Sequence, residues 1–273
     1  ALQIDPEIRE TRLISDPNYT TPFKIIVRND NYNDRIFYSL GENFKQTFIE
    51  DGRWRVFADG LGVTVRITLT SALFGTVMGF FAYLLRLKLG KVAAKLFNGI
   101  STVLKISPAV VILMLFYYVA FSRSSVSGET VSAIVFSLTL GASVYVLLDS
   151  SVDTVGRGQW EAAAAVGCTE AQTLFRIVLP QAMRRFLPMY KGELVELVKM
   201  TSIVSYIGTQ DLTGASDMIR SLTYDALFPV LATALIYALL AILMISLINL
   251  VFRITDPRSR SAAKILRGTE TEA

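Results

Sequence analysis

Glu161-Ala162-Ala163-Ala164-Ala165-Val166-Gly167, followed after nine residues by Ile177-Val178-Leu179-Pro180, lies in a polar-flanked stretch between two apolar segments of membrane length. The pattern is E-A-A, three residues, G, nine residues, I-x-L-P, so seven positions are spaced together. Glu161 to Val166 is alanine-rich, which predicts a helix with a slim, smooth face. Gly167 lets the backbone turn where a Cβ would clash. Thr169-Glu170 then supplies an N-cap and an acid in the first turn of a second helix running through Arg176. Pro180 is expected to end that run and redirect the chain toward the next apolar segment. The stretch from Gln159 to Phe175 therefore reads as two short helices hinged at Gly167. A slim helix suits a groove on a partner protein; the same composition also suits a connector packed on its own bundle.

Working outward, five segments are candidates for crossing a bilayer, whose hydrocarbon core needs about 20 helical residues. Ile67 to Leu85 and Val131 to Leu148 carry no charge. Ile100 to Phe121 is interrupted by Lys105 and kinkable at Pro108. Leu194 to Ile207 is weaker, with Glu196 and Lys199 inside it, and Phe228 to Phe252 is long and strongly apolar. Basic residues alternate between the connections: Arg86, Lys88, Lys91 and Lys95 follow the first segment, and Arg157, Arg176, Arg184, Arg185 and Lys191 follow the third. Arg253, Arg258, Arg260, Lys264 and Arg267 follow the fifth, whereas the second is followed only by Arg123 and the fourth only by Arg220. That bias places the N-terminus outside, and the loop and C-terminus in the cytoplasm.

Residues 1–58 are polar, with turn signals at Asp16-Pro17-Asn18 and Asn29-Asp30-Asn31. Phe23 to Val27 reads as a short strand, and Phe37, Leu40, Phe44, Phe48 and Ile49 share a helical stripe. The segment reads either as an extracellular leader or as the remnant of a soluble domain. Residues 59–255 form the membrane domain, with the loop at about 150–190, and 256–273 a cytoplasmic tail. The first sixty residues hold no signal-peptide core. A chain starting at Ala1 with no Met before Met78 is expected of a processed or excised piece of a longer polypeptide.

Composition narrows the chemistry. The 273-residue chain is 52% hydrophobic, with a mean hydropathy of +0.46 and a mild net charge of +4. It has no histidine, the commonest general base and metal ligand. A single Cys168 excludes an internal disulfide and a cysteine-rich metal site. Gly90-Lys91 is followed by Val92, so no phosphate-binding G-x-x-x-x-G-K-[ST] loop is present.

The E-A-A…G…I-x-L-P pattern resembles the EAA loop of bacterial ABC-importer permeases, where a membrane subunit grips its ATPase. The resemblance covers about residues 54–253 and is nearest the polar amino-acid subfamily. Gly60 to Leu69 is similar to the family's entry to its first span, and Gly158-Gln159-Trp160 to its G-Q-x lead-in. Leu179-Pro180-Gln181-Ala182 matches L-P-Q-A, Pro188 the proline after it, and Val198 to Ile203 resembles L-K-x-T-S-L. Two motifs depart: Lys105-Ile106-Ser107-Pro108 stands where the family has R-G-T-P, and Ser143-Val144-Tyr145 through Asp149 where it has A-Y-x-A-E-x-x-R.

The resemblance implies an all-α membrane protein of about five transmembrane helices, a type I importer domain. Its coupling loop would comprise Glu161, Ala162, Ala163, Gly167, Ile177, Leu179 and Pro180, with Glu161 the acidic contact to the ATPase and Gly167 the turn. Implied partners are cytoplasmic ABC ATPase subunits, a second permease subunit and a solute-binding protein or fused domain. No cofactor is expected on this chain, since ATP and Mg would sit on the partner ATPase.

Charges at membrane depth are costly and usually face a bundle interior or a water-filled path. Lys105, Glu196 and Lys199 are such charges; Glu196 and Lys199, three apart, share a face. With Thr201 and Ser202 they form a candidate translocation path, offering donors to a substrate carboxylate. Lys105 also suits snorkelling to an interface, and Thr201 and Ser202 helix packing. Gly75 and Gly79 predict a close helix contact. A stand-alone secondary transporter or channel is the alternative; it predicts inverted repeats or spans broken near mid-membrane, and the sequence shows no such internal symmetry. An intramembrane enzyme has no histidine and no paired carboxylates to work with.

Overall fold

Helix α2 (Trp54–Leu89) and helix α5 (Gly128–Asp153) meet along a seam that glycine makes possible. A Cβ on Gly79 would lie 2.5 Å from the Val144 Cβ and 2.6 Å from the Gly141 carbonyl oxygen. One on Gly75 would lie 2.9 Å from the Leu140 Cβ and from the Ser137 carbonyl oxygen. The close contact read from the Gly75/Gly79 spacing is thus real. Polar pins cross the seam: Ser71 donates to the Ala133 carbonyl at 3.2 Å, and Arg86 pairs with Asp149 at 2.7 Å. In lipid, where apolar surface alone does not drive helices together, such small-residue contacts and polar pins hold a bundle.

The computed structural model describes residues 13–14, 23–24 and 41–255, with side chains up to Leu250. Apart from a two-residue antiparallel pair, β1 (Leu13–Ile14) with β2 (Phe23–Lys24), the described residues are helical or in turns. Helix α1 covers 41–48, and a left-handed turn at Asp51 and Gly52 separates it from α2. Then come α3 (Lys91–Ile106), α4 (Ala109–Leu115) with a π turn Phe116–Ala120, and α5. The loop holds α6 (Arg157–Ala165) and α7 (Glu170–Thr173), the latter followed by a π turn Leu174–Val178. Helix α8 (Leu179–Met200), a 3-10 run Thr201–Ile207, α9 (Leu212–Thr223) and α10 (Leu227–Thr255) complete the chain. The turn signals near Asp16 and Asn29, most of the Phe23–Val27 strand, Phe37, Leu40 and the tail 256–273 lie outside the described residues.

Among the described residues three helical stretches are long and apolar enough to cross a membrane: Glu50–Leu89, Gly128–Asp153 and Leu227–Leu250. The apolar window of the second is 67% buried and that of the last only 11%, so α5 is the centre of the bundle and α10 its flank. The expected second span is not one continuous helix. The chain bends by 106° between Ile106 and Ala109. Ser107 is extended because it precedes Pro108, which disfavours the α conformation for its neighbour. The expected fourth segment, Leu194–Ile207, is the end of α8 plus the 3-10 run, closed by Gly208 at φ +76°. Its helix starts at Leu179, earlier than hydropathy suggests, because Arg184, Arg185, Lys191 and Glu193 mask its apolar positions.

Asp211 ties three elements together. It is fully buried and caps α9, accepting from the Gly214 N–H at 2.9 Å and from the Tyr237 hydroxyl at 3.1 Å. The next amide, Leu212, donates to the Thr64 hydroxyl at 3.1 Å, and Gly60 leaves room for the Asp211 carbonyl. Burial pushes the Asp211 carboxyl above the ordinary range, against the opposing pull of its backbone and Tyr237 hydrogen bonds.

Two predictions follow from these contacts. Gly79→Ala should cost about 1–3 kcal/mol through overpacking, whereas Gly99→Ala, in open space within α3, should stabilise by about 0.5–1 kcal/mol. Thermal unfolding in detergent checks this, and equal effects at both positions would sink the seam. A raised Asp211 pKa means the folded state holds its proton more tightly than the unfolded one. The stability this supplies is whole below about pH 4 and lost as pH rises through the folded value. Asp211→Asn keeps the cap, so it should match the parent at low pH and exceed it near neutrality; parallel pH–stability curves would exclude this.

Candidate functional site

The loop between α5 and α8 is built as its sequence predicts up to the second helix. Helix α6 ends at Ala165, Gly167 turns with φ +79°, and Thr169 caps α7. Thr169 and Gln172 form a reciprocal capping box: the Gln172 N–H donates to the Thr169 hydroxyl, and the Thr169 N–H to the Gln172 side chain. Such a box satisfies two amides that a helix start leaves unpaired.

The loop has two faces. Trp160 packs against the core, and Ala163, three residues on, is only 3% exposed, so this stripe of α6 lies on the bundle. Glu161, Ala162, Ala164 and Ala165 point outward, joined by Val166 at 78% exposure and Phe175 at 51%. Of the seven motif positions, Glu161, Ala162, Gly167 and Pro180 are exposed, Ala163 is buried, and Ile177 and Leu179 are half-buried.

Pro180 does not end the second helix. It stands in the first turn of α8, and the chain runs from α7 through the π turn into α8. The wider π turn carries the backbone past the position where the ring would clash with an α-helical carbonyl, and a proline in a first turn forfeits no needed N–H.

Side chains lock the two arms. The Gln181 side-chain amide donates to Gln159 Oε1 at 3.2 Å and to the Ile177 carbonyl at 2.9 Å. Both glutamines border a polar cleft of about 460 Å³ that also reaches Gly156, Gly158 and Arg184. Sequence reading placed Gln159 and Gln181 in separate motifs; their joining needed the fold, because the two motifs lie on different helices.

Residues 41–261 match the family described as the binding-protein-dependent transport system inner membrane component. This chain belongs to that family. The L-cystine transport system permease protein TcyB of Bacillus subtilis is 26% identical over 208 residues, covering 76% of this chain and 89% of TcyB. The probable amino-acid ABC transporter permease protein YckA of the same organism is 33% identical, over 65% of this chain and 79% of its own. An amino acid ABC transporter crystallised with histidines superposes at a TM-score of 0.65 and 25% identity, covering 83% of this chain and 99% of that one. The MetNI methionine ABC transporter shares the fold at a TM-score of 0.63 and 18% identity, over 76% of this chain and 100% of its own. The chain is thus a membrane permease subunit of an ATP-driven, binding-protein-dependent importer, and the stand-alone transporter is not favoured.

In this permease the charges expected at membrane depth are paired. Lys105 reaches Glu193 at 3.4 Å, linking α3 to α8, which favours a fixed bridge over free snorkelling. Glu196 and Lys199 pair at 3.4 Å on the expected shared face, and both are exposed. Thr201 is fully buried and donates to the Val198 carbonyl; Ser202 donates to the Lys199 carbonyl. The five candidate path residues therefore separate: Glu196, Lys199 and Ser202 share an open face, Thr201 packs inward, and Lys105 joins them only through Glu193. Sequence reasoning missed Glu193, which lies one residue before the apolar segment read from Leu194. Cys168 is half-buried and free.

Gly167→Val forces a β-branched residue into the left-handed region, at a cost of about 1–2 kcal/mol. Hydrogen exchange should quicken in α6 and α7 while global melting holds; unchanged exchange in the loop would contradict the hinge.

Proposed function

We propose that this permease carries polar amino acids, and that Gln159 to Phe175 is the loop through which a partner ATPase drives it. The observation that carries the second part is the loop's division into a face packed on the bundle and a smooth outward face of Ala162, Ala165, Val166 and Phe175 beside Glu161. A slim apolar ridge with one acid suits a groove on another protein. The amino-acid part rests on the relatives' names and on the L-K-x-T-S-L-like segment at Val198 to Ile203.

In this reading the chain breaks no bond. ATP and Mg are bound by the partner ATPase, two permease subunits line one pathway, and a solute-binding protein or fused domain delivers substrate from outside. Counting the bent α3–α4 pair and α8 with its 3-10 run, the bundle has five spans, the N-terminus outside and the C-terminus cytoplasmic. The alternation of basic flanks supports that orientation. Closure of the ATPase dimer on ATP moves the docked loops, and the bundle switches between two packings as a rigid-body transition. Glu196, Lys199 and Ser202 are the residues proposed to meet the substrate, with Lys105 and Thr201 supporting them.

Crosslinking tests the loop. In a Cys168→Ser background, a cysteine at Val166 should crosslink to the partner ATPase in an ATP-sensitive manner. One at Ala163, which is buried, should not. Equal labelling at the two sites, or none at Val166 in an assembled complex, would reject the docking face. Saturable, ATP-dependent uptake of a polar amino acid by the reconstituted complex tests the substrate class, and its absence across that class would remove the assignment.

A further inference from the structure

The corner between α2 and α3 and the groove along α3 are used by neither the loop nor the depth charges. Lys88, Lys91 and Lys95 crowd this corner around Gly90, which turns the chain at φ +73°. All three are exposed, and among the described residues none forms an ion pair. Arg86, the remaining cation, is engaged with Asp149. Beside the lysines stand exposed apolar side chains: Leu89, Val92 at 80% exposure, and Leu96.

Along α3, Lys91, Lys95, Gly99, Val103 and Ile106 follow one another at intervals of three or four residues, and every one is exposed. That spacing puts them on a single face. The face begins with two cations, dips at Gly99 where a Cβ would meet nothing within 4 Å, and ends apolar. The dip is a groove of about 430 Å³, lined by Lys95, Leu96, Gly99, Ile100, Val103 and Leu104. Lys95 is its only charged wall.

We infer that this face is a binding site for an anionic phospholipid of the surrounding bilayer. The phosphate sits against Lys91 and Lys95, with Lys88 adding charge, and one acyl chain lies over Gly99 in the groove. Three cations with no ion-pair partner among the described residues supply charge complementarity to a phosphate. The apolar groove continuing from Lys95 matches the head-to-tail order of a lipid, which a soluble anion would leave unfilled. Cationic side chains at a membrane surface each contribute attraction to anionic headgroups, and lysine stems cover apolar surface while their ammonium groups stay at the headgroup level. The site depends on the chain's place in a membrane and not on the assignment of the coupling loop or the substrate.

The test uses the full chain in mixed phosphatidylglycerol–phosphatidylcholine vesicles, extracted gently, with retained lipid counted by native mass spectrometry. The parent should retain phosphatidylglycerol in preference to phosphatidylcholine. Lys91→Gln with Lys95→Gln should lower that preference by about fivefold for each lysine neutralised. Gly99→Leu fills the groove and should lower retention of both lipids without changing their ratio. Both substitutions fall at exposed positions with room around them, so the fold is kept. An unchanged lipid ratio in the lysine variant, or full retention in Gly99→Leu, would overturn the site. Loss of ATPase assembly with the lipid ratio intact would assign the corner to a protein partner instead, and overturn it equally.

Discussion

The close approach of α2 and α5 across Gly75, Gly79 and Gly141 is the constraint on which the rest of the bundle depends. At Gly75 and Gly79 an added Cβ would fall within 3.0 Å of α5, and at Gly141 it would be tight at 3.2 Å. Helix α5 is held at the centre by this contact, and α3 and α8 pack against it in turn. Surrounded by lipid, the seam gains little from excluding apolar surface. Dense packing and a few interhelical polar bonds do the holding. Thr76 with Tyr190 is one such bond, and it joins α8 to the same seam.

That central position governs the loop. Helix α6 follows directly on the end of α5, and α7 runs through a π turn into α8. The outward ridge at Val166 and Phe175 is therefore carried between two helices of the core. Trp160 and Ala163 on one arm, and Leu174 and Val178 on the other, pack it down. A displacement applied to the ridge has little slack to absorb it. The π turn that holds Phe175 continues into α8, and that helix carries Glu193, Glu196 and Lys199, so the outward ridge and these charges are joined by one continuous run of helix.

Lys105, Glu193, Glu196 and Lys199 are tolerated because each lies near an opposite charge. Removing a charge from water without a partner costs several kcal/mol, whereas a paired charge on an open face costs much less. Lys105 with Glu193 crosses between helices and fixes the first half of the bent α3–α4 pair against α8. Glu196 with Lys199 remains within one helix and stays accessible. The first pair builds, and the second faces the open side.

Much of this was legible in the residues themselves. Alanine-rich Glu161 to Val166, the Gly167 hinge, the Thr169 cap and the small-residue spacing of Gly75 and Gly79 are all set within a turn or two of chain, where propensity, capping and side-chain size act. Pro108 likewise marked the break in its segment, though not the size of the bend. What the tertiary structure decided was every feature that depends on two faces meeting. Burial of Ala163 beside its exposed neighbours, the Gln159–Gln181 lock, the Lys105–Glu193 bridge and the Asp211–Tyr237 bond join residues far apart in sequence. Even Pro180 was misjudged from local rules alone, because the π turn before it lets the helix pass through. Local chemistry sets where a helix starts, stops or turns; only packing sets which of its sides is left for a partner.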